Sequence, residues 1–374
     1  AVHHCFAEGI VLDRDSVDGV IEFCESYNNM HMNFYLNNAQ RPTIRFCKGW
    51  STGNPEMLRG GEWASEPLVI TEEVKKTDGK AIGQKVYGCI FVGGRYVVTL
   101  ARVGTKQDTQ LKGGYFGYNT LVGLPGITQF VLSAGTKEPH EGTIVENNIF
   151  YAPAGGGVFH RPTEPRKGVE GGGNVIHKVG TTVSVPNWLN GEGTIVADPK
   201  LSNPAATIID RGGALTGDGE TGTHTFDQNN YKLTGASPGI NKAITSYPFN
   251  GHSGVELARQ RDYFGATRTQ PDIGAHEYGG VLTNSVVASF SRSPAATTVT
   301  VGATVAFTNS SFTTGTATIT GQTWTVRKSG TVVATAATTH YSYTFNSVGD
   351  YSVELAVTAT GGLSDTETVG YTVV

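Results

Sequence analysis

The four cysteines of this chain stand at positions 5, 24, 47 and 89, at intervals of 19, 23 and 42 residues, and the last interval is close to twice the mean of the others. Each closes a similar phrase: Val2-His3-His4-Cys5, Ile21-Glu22-Phe23-Cys24, Ile44-Arg45-Phe46-Cys47 and Val86-Tyr87-Gly88-Cys89. Asparagine takes over that place later, in Phe116-Gly117-Tyr118-Asn119, in Ile144-Val145-Glu146-Asn147-Asn148 and in Gly172-Gly173-Asn174. A large side chain follows three residues on, as in Tyr27, Trp50 and Phe150. Self-similarity at roughly 20 to 30 residues is the signature of a stacked coil. Equivalent positions of successive turns then lie about 4.8 Å apart. Apolar residues at alternate positions, Ile21 with Phe23 and Ile44 with Phe46, point into a narrow shared core. Asparagine suits the bends because its amide can bond the neighbouring copy and it tolerates unusual backbone angles. Cysteine there is a small buried group.

Composition agrees with a chain of short strands and bends. Glycine supplies 50 of the 374 residues, and charged residues are only 16%. Both work against helices, so a bundle, a coiled coil and a doubly wound α/β fold are set aside. Lys and Arg number 28 against 32 Asp and Glu, with no basic run. A nucleic-acid footprint is therefore missing, and no 18-residue apolar stretch marks a membrane span. No cysteine pair has zinc-site spacing. Stacked turns would bring cysteines within disulfide range, but burial favours an unpaired interior ladder.

Over residues 1–195 the pattern resembles a right-handed parallel β-helix, as in pectate-lyase-like proteins and phage tailspikes. Residues 196–280 resemble the closing segment of many secreted β-helix proteins. The phrases are Ala197-Asp198-Pro199, Ser237-Pro238-Gly239-Ile240-Asn241, Asp262-Tyr263-Phe264-Gly265 with Arg268, and Pro271-Asp272-Ile273-Gly274-Ala275-His276-Glu277-Tyr278. His276 stands where Tyr is usual, and Lys242-Ala243 where Ala-Gly is usual. The resemblance implies a structural role, finishing the coil and covering its end. From 281 to 374, Thr- and Val-rich strands alternate with turns. The phrases around Phe307, Phe345 and Ser364-Asp365 resemble a PKD (polycystic-kidney-disease-like) domain, an Ig-like β-sandwich used as a spacer or adhesive module. Trp324-Thr325-Val326-Arg327 replaces the family's acidic signature. The expected fold is thus all-β, a parallel β-helix followed by a β-sandwich.

A coil of this kind offers long faces to extended polymers, so a polysaccharide or surface glycan is the expected partner. The segment Trp50–Glu66 holds Trp50, Glu56, Arg59, Glu62, Trp63 and Glu66 on a Gly- and Pro-rich stretch. It pairs aromatic platforms (Trp50, Trp63) and Arg59 with candidate catalytic carboxylates (Glu62, Glu66), the residue types that cleave glycosidic bonds in pairs. A second set joins His140 and Glu141 to His160, Arg161, Glu164 and Arg166, a combination able to neutralise and deprotonate a uronate. Asp13, Asp15 and Asp18 share a turn that resembles part of a calcium loop without its closing Glu. No other cofactor is expected.

Three functions follow as expectations. The first is surface-glycan recognition by a tailspike-like or cell-surface protein outside the cell. The second is a secreted polysaccharide lyase or glycoside hydrolase. The third is a structural subunit of a virion or extracellular filament. Another chain or a preceding region is expected over residues 1–20, with a homo-oligomer open.

Overall fold

The computed structural model describes residues 1–13, 16–52, 64–71, 80–100, 110–125, 128–132, 140–160, 167–206, 209–210, 224–244, 255–280, 284–294, 296–314 and 317–374. The chain is all-β with almost no helix, and it separates into two compact units, Ala1–Gly280 and Val281–Val374.

Unit 1 is a solenoid-like stack of three parallel sheets visited in turn. Sheet 1 contains Val20–Glu22, Thr43–Arg45, Lys85–Tyr87, Tyr115–Gly117, Thr143–Glu146 and Val169–Gly172. Sheet 2 runs over eight strands, from Val2–His3 through Glu25–Tyr27, Lys48–Ser51, Ile90–Gly93, Thr120–Val122, Ile149–Ala152 and Val175–Lys178 to Ile195–Val196. Sheet 3 contains Ile10–Asp13, Met32–Asn37, Glu66–Thr71, Tyr96–Leu100, Thr128–Leu132 and Gly157–Phe159. One strand of each makes a rung. The inward positions, among them Ile21, Ile44, Val86, Phe116 and Val145 from sheet 1 and Phe34, Leu68, Val98 and Phe130 from sheet 3, form one continuous core.

The bend between sheets 1 and 2 repeats in detail. Phe23, Phe46, Gly88, Tyr118, Asn147 and Gly173 all take positive φ there, and the next residue points inward. Strand register aligns Cys24, Cys47, Cys89, Asn119, Asn148 and Asn174 in one column. Each asparagine carbonyl accepts the backbone N–H of the preceding member: Cys89 N to Asn119 at 2.9 Å, Asn119 N to Asn148 at 3.0 Å and Asn148 N to Asn174 at 2.8 Å. The amide of Asn148 also donates to Phe116 O and Glu146 O. The thiols take the same places: Cys47 Sγ donates to Ile21 O and Arg45 O, and Cys89 Sγ accepts from Cys47 N at 3.4 Å. All four cysteines are free.

Cys5 departs from the sequence reading. Val2 and His3 pair with Ser26 and Tyr27, so Cys5 belongs to the next bend, where its N–H meets Asn29 Oδ1 at 3.0 Å. Both bends share one grammar, a positive-φ residue (His4, Asn28) and then a small polar group, which is why the phrases look alike. Register also places Tyr151, not Phe150, in the column of Tyr27 and Trp50; Phe150 is core.

The later part of unit 1 also differs from expectation. Residues 226–244 and 255–278 run as a strap along the flank of the stack and contact early and late rungs. Phe226 stacks on Trp50 with ring centroids 5.5 Å apart, and Lys48 Nζ donates to Gln228 at 3.3 Å. Ile244 N donates to Asn147 Oδ1, Ala275 N donates to Thr120 Oγ1, and the Arg261 guanidinium lies over the Phe23 ring. The short helix α1, Glu256–Gln260, sits over sheet 1 with Val255 and Ala258 against Tyr115, Tyr118 and Ile144. The strap folds around one buried arginine. Arg268 donates to Asp272 O at 2.9 Å and Gly274 O at 2.7 Å and lies 3.3 Å from Glu277, while the Asp262 carboxylate accepts from Ala266 N and Glu277 N. The phrases read as a closing segment are therefore structural, but they bind the side of the coil rather than its end.

Unit 2 has its own core around Trp324, Phe307, Phe345, Val353 and Leu355. Its largest sheet orders the strands 298–299, 363–373, 349–359, 319–328 and 331–336. A three-stranded sheet joins Phe290–Ser293, Thr304–Asn309 and His340–Thr344. Pairing is antiparallel except between Thr298–Val299 and Leu363–Val373.

Candidate functional site

The strap packs on the outer sides of sheets 1 and 2, and the outward positions of sheet 3, Tyr35, Val69, Thr99 and Val131, are buried as well, so the candidate contact region among the described residues is the half-buried group beside the Gly93-Gly94 turn. The sequence spacing between strands varies from rung to rung. In the early rung, sheet 3 passes to sheet 1 through residues 38–42, but later sheet-3 strands are followed by 72–79, 101–109, 133–139 and 161–166 before sheet 1 or its lead-in resumes. Between the sheet-2 strand Lys48–Ser51 and the sheet-3 strand Glu66–Thr71 the sequence runs on for residues 52–65.

Glu66 opens the strand Glu66–Thr71 and is buried, its carboxylate accepting a hydrogen bond from Thr99 Oγ1 on the next rung. Beside it the turn Gly93-Gly94 delivers Arg95 and Tyr96. Gly94 has φ +77°, and a Cβ there would fall 2.4 Å from Ser65 O, so only glycine lets the two segments pass. The Arg95 guanidinium lies 5.2 Å from the Tyr96 ring centroid, within cation–π range. His160, at the end of the last sheet-3 strand, meets the edge of the same ring at 6.1 Å. Arg95, Tyr96 and His160 are half-buried. A flat aromatic ring, a guanidinium and an imidazole thus meet here, a set able to stack on a sugar ring and bond its hydroxyl or carboxylate groups, while the Glu66 carboxylate stays buried and held by Thr99.

Of the residues singled out from sequence, Glu66 and His160 lie in this region. Glu62, Arg59, Trp63, Arg161 and Asp15 fall outside the described residues, as do Glu56, Glu164 and Arg166. Trp50 is not an open platform: it is 1% exposed, sandwiched between Tyr27 at 4.0 Å and Phe226, with Nε1 donating to Glu25. His140 is buried and its Nδ1 accepts the Leu111 N–H at 3.1 Å, a structural bond that fixes the ring. Glu141 is exposed and paired with Lys112 at 3.1 Å. Asp18 is held by Arg41 through two 2.8 Å bonds, which lower its pKa, and a guanidinium excludes a cation from that carboxylate. Asp13 lies in a sheet-3 strand. No group of three or more His, Cys, Asp or Glu side chains among the described residues could hold a metal ion. Arg95 and Tyr96 carry no motif in the sequence; their one local signal is the Gly93-Gly94 turn that precedes them.

No protein-family model and no curated protein matches the chain. Among the described residues, no helix is long and apolar enough to cross a membrane.

Proposed function

We propose that the chain is an extracellular glycan-recognition protein, a right-handed parallel β-helix of tailspike-like or cell-surface type followed by a PKD-like sandwich, and that the glycan binds beside the Gly93-Gly94 turn. The observation that carries this reading is the half-buried group of Arg95, Tyr96 and His160 beside the Gly93-Gly94 turn, a guanidinium and an imidazole in contact with one flat ring. A stack of rungs also presents its groups at a repeat suited to an extended polymer.

The test is titration of the whole chain with acidic and neutral polysaccharides, following binding and chain length together. Arg95→Ala and Tyr96→Ala should each weaken binding about tenfold, equivalent to about 1.4 kcal/mol. Undiminished binding in both variants would remove this group as the binding site. Shortening of the polymer that stops in Glu66→Gln or Glu62→Gln would favour the lyase or hydrolase reading, and no binding to any glycan would favour a structural subunit.

A further inference from the structure

Beneath α1 lies a carboxylate that glycan recognition does not use. Glu146 points outward from sheet 1 and is fully buried. Its Oε1 accepts the Tyr115 hydroxyl at 2.9 Å, and Arg259 Nη2 of α1 stands 3.9 Å away, beyond hydrogen-bond reach. Oε2 is buried with no hydrogen-bond partner. Val255 and Ala258, both fully buried, roof the site. The arrangement is built: a Cβ on Gly117 would lie 2.4 Å from the Tyr115 hydroxyl, so glycine there opens the path from Tyr115 to Glu146. The other titratable groups facing this cluster are Tyr118, beneath the Arg268 guanidinium at 4.9 Å, and Arg259 itself.

An ionised carboxylate shut away from water needs several donors, and here one neutral hydroxyl donates to it while the Arg259 guanidinium stands out of hydrogen-bond reach. We propose that Glu146 is a proton-operated latch, closed under α1 as the neutral acid and opened by its ionisation. Burial pushes the carboxyl up to about 7 from an ordinary 4.5, against the lowering effect of Tyr115 and Arg259. The docked strap therefore holds the proton more tightly than a released one. Docking is fully favoured below about pH 4.5 and is lost as pH rises through about 7, where the effect levels off.

Hydrogen exchange of the whole chain, corrected for the intrinsic pH dependence, reads this directly. In the wild type, opening around 255–262 should grow up to about tenfold per pH unit between about pH 5 and 7. Glu146→Gln should flatten that dependence. Glu277→Gln should retain it, which matters because burial also lifts Glu277 to about 7. A flat wild-type profile, or an unchanged profile in Glu146→Gln, overturns the latch. Should Glu146→Gln not fold, a carbon-13 glutamate carboxyl titration of Glu277→Gln decides: a midpoint near 7 is expected, and none near that value overturns the proposal.

Discussion

The bend column is thiol over its first three members and amide over its last three, and the two halves solve one problem with different strengths. Asn119, Asn148 and Asn174 each accept a backbone N–H from the rung before and donate to carbonyls beside them. Cys47 and Cys89 occupy the same points and direct their thiols at the equivalent carbonyls, Ile21 and Arg45 for one, Ile44 and Tyr87 for the other. A thiol is a weak donor and a weak acceptor, so the upper rungs keep the geometry of the ladder with less of its hydrogen-bond energy. The difference teaches that the bend is fixed by its backbone and by size at the inward position, with the amide adding cohesion between rungs.

The most severe way to break the comparison is Asn148→Ala. It orphans the Asn119 N–H in a dry interior and takes a donor from Phe116 O and Glu146 O, the latter keeping the Tyr118 N–H, and we expect a loss of about 2 to 4 kcal/mol in urea unfolding. Cys47→Ala should cost less, about 1 to 2 kcal/mol, because mainly sulfur packing is lost. Cys89→Asn tests the equivalence itself. The new carbonyl would accept the Cys47 N–H and the new amide would face Ile44 O and Tyr87 O, so stability should stay within about 1 kcal/mol or rise. A fall beyond about 2 kcal/mol would show that the halves are not interchangeable. The mildest test is labelling with a thiol reagent: Cys5 and Cys24, which are half-buried, should react before Cys47 and Cys89, and all four should react after denaturation without reductant. The native reaction should stay slow at neutral pH, because its contact with Cys47 raises the Cys24 thiol and burial raises that of Cys47.

The column from Cys24 to Asn174 was readable in the sequence because its spacing is imposed by the strand repeat and leaves a chemical trace at every bend. Cys5 occupies a different bend from the one its phrase suggests because a second corner uses the same order of residues, and no periodicity separates two corners of one rung. The candidate site was readable only in part. Glu66 and His160 were visible as chemistry, but Trp50 was read as a ledge because its cover, Phe226, is distant in sequence. Arg95 and Tyr96 carry no motif; what marks them is their contact with each other and with His160, 64 residues on from Tyr96, which only the fold brings together. The buried network of Asp262, Arg268, Asp272 and Glu277 was recognised as structural, yet its position on the flank is a tertiary fact with no local signature.

That position makes the strap a gauge of rung number. It joins groups 180 residues apart, at Lys48 and Gln228, and 155 apart, at Thr120 and Ala275. Closing loops of that length is slow and brings no reward until the partners exist in place. The stack must therefore assemble before the strap can seat, and a stack with one rung too many or too few would offer Phe226 and Ile244 partners displaced by about 4.8 Å. Rungs in an open solenoid can be gained or lost at small cost to their neighbours. In this one, a segment that touches the early and the late rungs together turns their number into a condition of completing the fold.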